Sequence, residues 1–175
     1  FTVEVTGVRV GGVKMAGGTS AFQAGKGTIV DSGTTDTYLP RAAAAAFGAA
    51  FEAASGMAFV GGKAYSLTAA QVAALPAIAF DLSGGEGQGG ATVEMPASHY
   101  LDAVKPGTYR MRLYATESSG AILGANAMRD HDVVFDEENM RMGWVEADCH
   151  TPAVVGESLP PASAPATTSA TVTTI

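Results

Sequence analysis

Period-two alternation recurs along most of this chain and constrains its fold more than any other feature. In "FTVEVTGVRVGG", Val3, Val5, Val8 and Val10 alternate with polar residues, Gly7 interrupts the run and Gly11-Gly12 closes it. Successive side chains of a strand point to opposite faces, so the pattern reads as a β-hairpin with one buried face. "GTIV", "KAYS", "AIAFDL", "ATVEMP", "TYRMRLYAT", "GAIL" and "DVVFDEENMRMGWVEA" predict further strands. "SGGEGQGG" reads as a hairpin tip and "DEEN" as the last turn, while the stretch from Gly17 to Gly27 reads as a loop.

Helical signals are few. "RAAAAAFGAAFEAAS" follows Pro40 and joins the best helix former to a proline suited to a first turn. Phe47 and Phe51, four apart, share one face of that helix. "TAAQVAALP" predicts a short helix capped by Thr68 and ended by Pro76, and "ASHYLDAV" a helical turn. The balance of about nine strands against two or three short helices is a mainly β domain.

The formal charge of −7, from 17 acidic and 10 basic side chains, argues against nucleic acid as a partner, because phosphate binding needs a basic footprint. No basic run suits an anionic membrane surface, and no stretch of 18 apolar residues spans a bilayer. Phe1 opens directly into alternating residues without a signal-peptide pattern, so the chain reads as soluble and cut from something longer. Cys149 is the single cysteine, so no internal disulfide or cysteine-rich metal site is expected. His99, His131 and His150 share no ligand spacing, and neither metal nor organic cofactor is expected. Residues 1–149 make the expected domain. Residues 150–175, rich in Pro, Ser and Thr, read as a disordered or O-glycosylated stalk or a plain flexible tail.

One acid stands apart. "GTIVDSGTTDTYLP" places Asp31 in a Ser/Gly/Thr turn at the end of an apolar run. An Asx-type turn, in which the carboxylate bonds the backbone two residues on, is one reading of such a corner. The other is chemical. A carboxylate within reach of hydroxyl and backbone N–H donors, paired with a second acid, takes a proton from water while its partner donates to a carbonyl. Ser32 and Thr34 supply hydroxyls, and Gly33 permits close approach of backbone and substrate. Ser32 lacks the elbow motif of a serine nucleophile, and "GGEGQGG" lacks the lysine and helix of a phosphate loop. Trp144 reads as a core or sheet-face aromatic.

"GTIVDSGTTDTYLP" resembles the second active-site segment of the pepsin-like aspartic peptidases. "LPAIAFDLSGG", "ATVEMPASHYL" and "GAILGANAMRDHDVVFDEENMRMGWVEADC" follow the C-terminal lobe of that family in order, so the resemblance covers Phe1 to about Cys149. "VVFD", "MGWV" and "ADCH" are most similar to the membrane-anchored, memapsin-like branch. The resemblance implies a mainly β fold, the C-terminal lobe of the bilobal acid-protease architecture. It implies that Asp31 is one of two catalytic aspartates of an endopeptidase, with Ser32 bracing the turn and Gly33, Thr34 and Thr35 serving carboxylate or substrate. Ile122, Leu123 and Gly124 would form an apolar element under the site.

No second D-T-G or D-S-G is present: Asp81 stands in "FDLSGG", in the wrong order, and Asp136 in "VFD" reads as a turn-forming acid. The resemblance therefore implies a partner aspartate in an N-terminal lobe outside this chain, which alone would be inactive. It implies a polypeptide substrate, and a disulfide from Cys149 to missing sequence. A secretory, vacuolar, lysosomal or extracellular location follows, with membrane attachment only through an anchor beyond Ile175. A non-catalytic protein- or peptide-binding module on the same fold is the alternative.

Overall fold

The computed structural model describes residues 1–84 and 89–149, and the backbone of 170–173. Strands β1 (Thr2–Val3) and β2 (Val5–Val10) lead through Gly11-Gly12 into β3 (Val13–Lys14). Both glycines have positive φ, 58° and 80°, which a two-residue hairpin connection requires of its central residues. Within the expected loop sits one helical turn, α1 (Ser20–Gln23), anchored by the fully buried Phe22. A single turn carries no periodic signal, so only the burial of Phe22 marks it.

Strand β4 (Thr28–Val30) precedes the Asp31 turn and β5 (Thr37–Pro40) follows it. A 3-10 turn over Arg41–Ala43 opens α2 (Ala44–Ser55), which Gly56 closes at φ 68°. β6 (Ala64–Ser66) and α3 (Ala69–Ala73) come next, and Thr68 and Gln71 form a reciprocal capping box on α3. β7 (Ile78–Leu82) pairs with β8 (Ala91–Met95); their connecting tip falls partly outside the described residues. The helical turn expected in "ASHYLDAV" stops early: α4 (Ala97–Tyr100) gives way to β9 (Leu101–Lys105). "TYRMRLYAT" divides into β10 (Thr108–Met111) and β11 (Leu113–Glu117), which belong to different sheets. β12 (Ala121–Leu123), a 3-10 turn at Ala125–Ala127, β13 (His131–Asp136) and β14 (Arg141–Glu146) complete the domain. β15 (Ala170–Thr173) lies antiparallel to β14, and the rest of the expected stalk, 150–169 and 174–175, lies outside the described residues.

The described strands and helices exceed the expected counts because many strands hold only two to four residues, too short for a periodic signal. The architecture is mainly β with a few short helices, as the sequence predicts. Its sheets have the orders β1-β4-β12-β5-β11, β3-β2-β7-β8, β6-β10-β9 and β13-β14-β15. One core joins them. Phe47, Phe51, Phe80 and Tyr100 are fully buried, and Phe59 meets Phe47 edge-on at 4.9 Å between ring centres. Burying each such ring contributes on the order of 1.5–3 kcal/mol.

The five-stranded sheet positions the Asp31 turn. β12 inserts between β4 and β5, strands separated by only six residues of sequence. It runs parallel to β4, with Ile122 beside Ile29 and Leu123 beside Val30, and meets β5 at Ile122 and Tyr38. Val30, Leu123 and Leu39 face the core, while Ile29, Ile122 and Tyr38 form a half-exposed opposite face.

Candidate active site

Asp31 begins where β4 ends. Its N–H donates to the Leu123 carbonyl at 3.0 Å, which continues the pairing of β4 with β12 by one residue. Its carbonyl accepts from the Thr34 N–H at 3.2 Å, which closes a tight turn. Both carboxylate oxygens are engaged: Oδ1 accepts from the Gly33 N–H at 2.9 Å, and Oδ2 from the Thr34 hydroxyl at 2.6 Å. The first contact is the Asx-type bond, so the turn-shaping contact is present at the same carboxylate as a hydroxyl contact. The Thr34 hydroxyl, then the Gly33 N–H, hold the Asp31 carboxyl below the ordinary carboxylate range, because both donate to its ionised form. Burial opposes them, and the amino terminus and Lys26 add smaller favourable pulls.

The turn is fastened from behind. Ala125 N–H donates to the Thr34 carbonyl at 2.7 Å, and Asn126 N–H to the Thr35 carbonyl at 3.1 Å. Gly124 has ordinary extended backbone, φ −84°, so its φ alone does not demand glycine. Close approach does, since a Cβ there would overlap the Asp36 carbonyl. The Gly124 N–H donates to the buried Thr37 hydroxyl at 3.3 Å, and that hydroxyl donates to Asn126 Oδ1 at 2.7 Å. Leu123 is fully buried beneath the turn and Ile122 lies on the opposite face. Ser32 and Thr35 are exposed, and Ser32 takes no part in the two bonds to the carboxylate.

The other singled-out acids stand elsewhere. Asp81 is engaged by Arg9 through two bonds, Nε–Oδ2 at 3.0 Å and Nη2–Oδ1 at 2.6 Å. Asp136 accepts from the Asn139 N–H at 3.1 Å and from Arg141 Nε at 2.8 Å, which shapes the β13–β14 turn. Cys149 is exposed. Among the described residues, no group of three His, Cys, Asp or Glu side chains is placed to hold a metal ion, and no helix is long and apolar enough to cross a membrane. Two grooves, one lined by Val72, Leu75, Pro96 and Tyr109 and one by Thr2, Glu4, Gln23 and Lys26, include no residue of the turn.

Sequence reasoning missed the buried support of the site. Asp36 is 6% exposed and accepts from Arg112 Nε at 2.9 Å; the Arg112 carbonyl accepts from the Asn126 side chain at 2.9 Å. Arg112 was concealed within "TYRMRLYAT", where strand parity sets it beside Arg110 on a polar face. The strand breaks at that residue and the side chain turns to Asp36 instead. Asp36 itself, an acid abutting the buried run "TYLP", was the available signal.

Chemically, this is an ionised, half-exposed carboxylate with fixed orientation at the C-terminal end of an interior strand. By itself it accepts hydrogen bonds and little else. A second carboxyl in contact would share one proton with it and split the two titrations.

A family model described as "Xylanase inhibitor C-terminal" matches residues 1–146. An aspartyl protease family protein of Arabidopsis thaliana is 26% identical over 158 residues, which cover 85% of this chain and 32% of that protein. The chain thus spans about a third of the length of that relative.

Proposed function

The chain belongs to the xylanase inhibitor C-terminal family, with the C-terminal lobe of the pepsin-like fold, and on that premise we propose that it supplies half the catalytic dyad of an aspartic endopeptidase. Asp31 is the residue in this half. The observation that carries the reading is its carboxylate, held ionised and oriented by the Thr34 hydroxyl and the Gly33 N–H, with no cation bonded to it among the described residues. In the assembled enzyme a second aspartate, from an N-terminal lobe, contacts Asp31 and the two share a proton. The ionised member takes a proton from water, which attacks the peptide carbonyl, while the protonated member donates to the carbonyl oxygen.

Ser32 and Thr35, exposed beside Asp31, face substrate or the other lobe, and Ile122, Leu123 and Gly124 support the turn. The partners are an extended polypeptide and the N-terminal lobe. The exposed Cys149 is available to a cysteine outside this chain, which would set the protein in an oxidising compartment of the secretory pathway.

The family description itself favours a second reading, a non-catalytic module that binds another protein on the same fold. A peptidase assay at about pH 4, near the reference carboxyl range, separates the two. It compares this chain, the two-lobed protein that contains it, and that protein with Asp31→Asn. Activity in the two-lobed wild type alone is the expected result. A folded, propeptide-free two-lobed protein that cleaves nothing transfers the assignment to the binding module. Activity in the short chain would mean that two copies assemble a site.

A further inference from the structure

Behind the Asp31 turn runs a row of alternating charges that the proposed reaction does not use. Asp36 Oδ1 accepts from Arg112 Nε at 2.9 Å, and the same Nε lies 3.4 Å from Asp102 Oδ2. Asp102 Oδ1 accepts from Arg129 Nη2 at 3.2 Å, and Arg129 Nη1 donates to the Ser98 carbonyl at 2.8 Å. The Arg112 backbone is held too: its N–H donates to the Tyr100 carbonyl at 2.8 Å and its carbonyl accepts from Asn126 Nδ2 at 2.9 Å. Asn126 then reaches the turn twice, through the Thr37 hydroxyl and through its own N–H to Thr35.

Removing two charges from water is costly, and an apolar pair of similar volume often stabilises a core as well or better. What an ion pair adds is direction, since the planar guanidinium sets where its partner oxygen sits. Asp36 is five residues from Asp31, and its own carbonyl packs against Gly124. With Asp36 fixed by Arg112, and Thr34 and Thr35 fixed by the 3-10 turn at Ala125–Ala127, the segment has little freedom to rotate.

We propose that Arg112 is a positioning residue: through Asp36 and Asn126 it sets the orientation of the 34–36 segment, and so aims the Thr34 hydroxyl at the Asp31 carboxylate. What that orientation serves rests on the peptidase reading; the orientation itself does not. Arg112 touches no reacting group and acts on the turn only through Asp36 and Asn126.

The test is a carbon-detected NMR titration of the side-chain carboxyls in this chain. Asp36→Leu combined with Arg112→Met removes both charges and orphans neither. The double variant is expected to fold, with Asp31 titrating closer to the ordinary 3.8 and Asp136 unchanged. The Ala125 and Asn126 amides should exchange on the order of tenfold faster. Arg112→Lys, which keeps the charge but not the planar Nε donor, should retain part of the Asp31 shift. A folded double variant whose Asp31 titration and amide exchange match the parent overturns the proposal. Should the double variant not fold, Asp36→Asn, which keeps an oxygen facing Arg112 but leaves its charge uncompensated, carries the amide measurement instead: faster Ala125 and Asn126 exchange supports the proposal and parent-like exchange overturns it. None of these readouts needs peptidase activity, so a silent peptidase assay and an unmoved titration are separate failures.

Discussion

Asp31 and Asp136 both stand at the head of a tight turn, both accept a backbone N–H, and both are held below the ordinary carboxylate range. Their partners differ. Asp136 is bonded first by the Arg141 guanidinium and then by Asn139, all within five residues of sequence. Asp31 is bonded by a hydroxyl and an amide, and the backbone behind it is held by β12 and the 3-10 turn, more than 90 positions later. A carboxylate neutralised by a cation is committed to its hairpin. One held by neutral donors keeps its charge available at the surface. The Asp136 turn needs only its own residues, whereas the Asp31 turn is fastened from behind only once a distant strand has inserted between β4 and β5.

The largest effect should come from breaking that insertion. Gly124→Val drives a side chain into the Asp36 and Thr34 carbonyls. Overpacking of this kind costs about 3 kcal/mol or more. Urea unfolding should show a much lower midpoint, whereas the β13–β14 turn tolerates Asp136→Asn with a far smaller shift. Equal losses at the two sites would mean that the Asp31 turn is closed locally after all.

A smaller loss is expected from Thr37→Val, which preserves shape but strips the buried hydroxyl that accepts from Gly124 and donates to Asn126. Leaving those two groups unpaired should cost about 1–3 kcal/mol, read as a lower urea midpoint with an unchanged slope. An unchanged midpoint would show that Gly124 and Asn126 find other partners.

The smallest change in stability, and the sharpest in chemistry, belongs to Thr34→Val. It removes the main cause of the lowered Asp31 titration, so that titration should move up toward 3.8 while Asp136 stays in place. The sign follows from linkage. A depressed folded value contributes stability that is present above the unfolded value of 3.8 and lost as pH falls through the folded one. The variant and its parent should therefore differ at neutral pH and converge in strong acid. Identical titrations of Asp31 in the two proteins would remove Thr34 from the site.

Much of the fold was legible because its rules are local. Alternation at Val5, Val8 and Val10, the Gly11-Gly12 connection, the Thr68 cap and the alanine-rich α2 each announce themselves within a few residues. The "DEEN" turn did so too, because Asp136, Asn139 and Arg141 are neighbours in sequence. The division of "TYRMRLYAT" at Arg112 and the single turn α1 were not legible. A strand that changes sheets in mid-run keeps its alternation, and four residues hold too little pattern.

The site divides in the same way. Sequence alone placed Asp31 in a turn with Gly33 and Thr34 near its carboxylate, since the four positions from Asp31 to Thr34 have few ways to arrange themselves. The threading of β12 between β4 and β5, the press of Gly124 on Asp36, and the reach of Arg112 to a buried acid came from long-range packing. These contacts join residues some 76 to 93 positions apart. They form because Gly124 alone among the side-chain choices admits the Asp36 carbonyl, and because a buried carboxylate must find a cation wherever the fold supplies one.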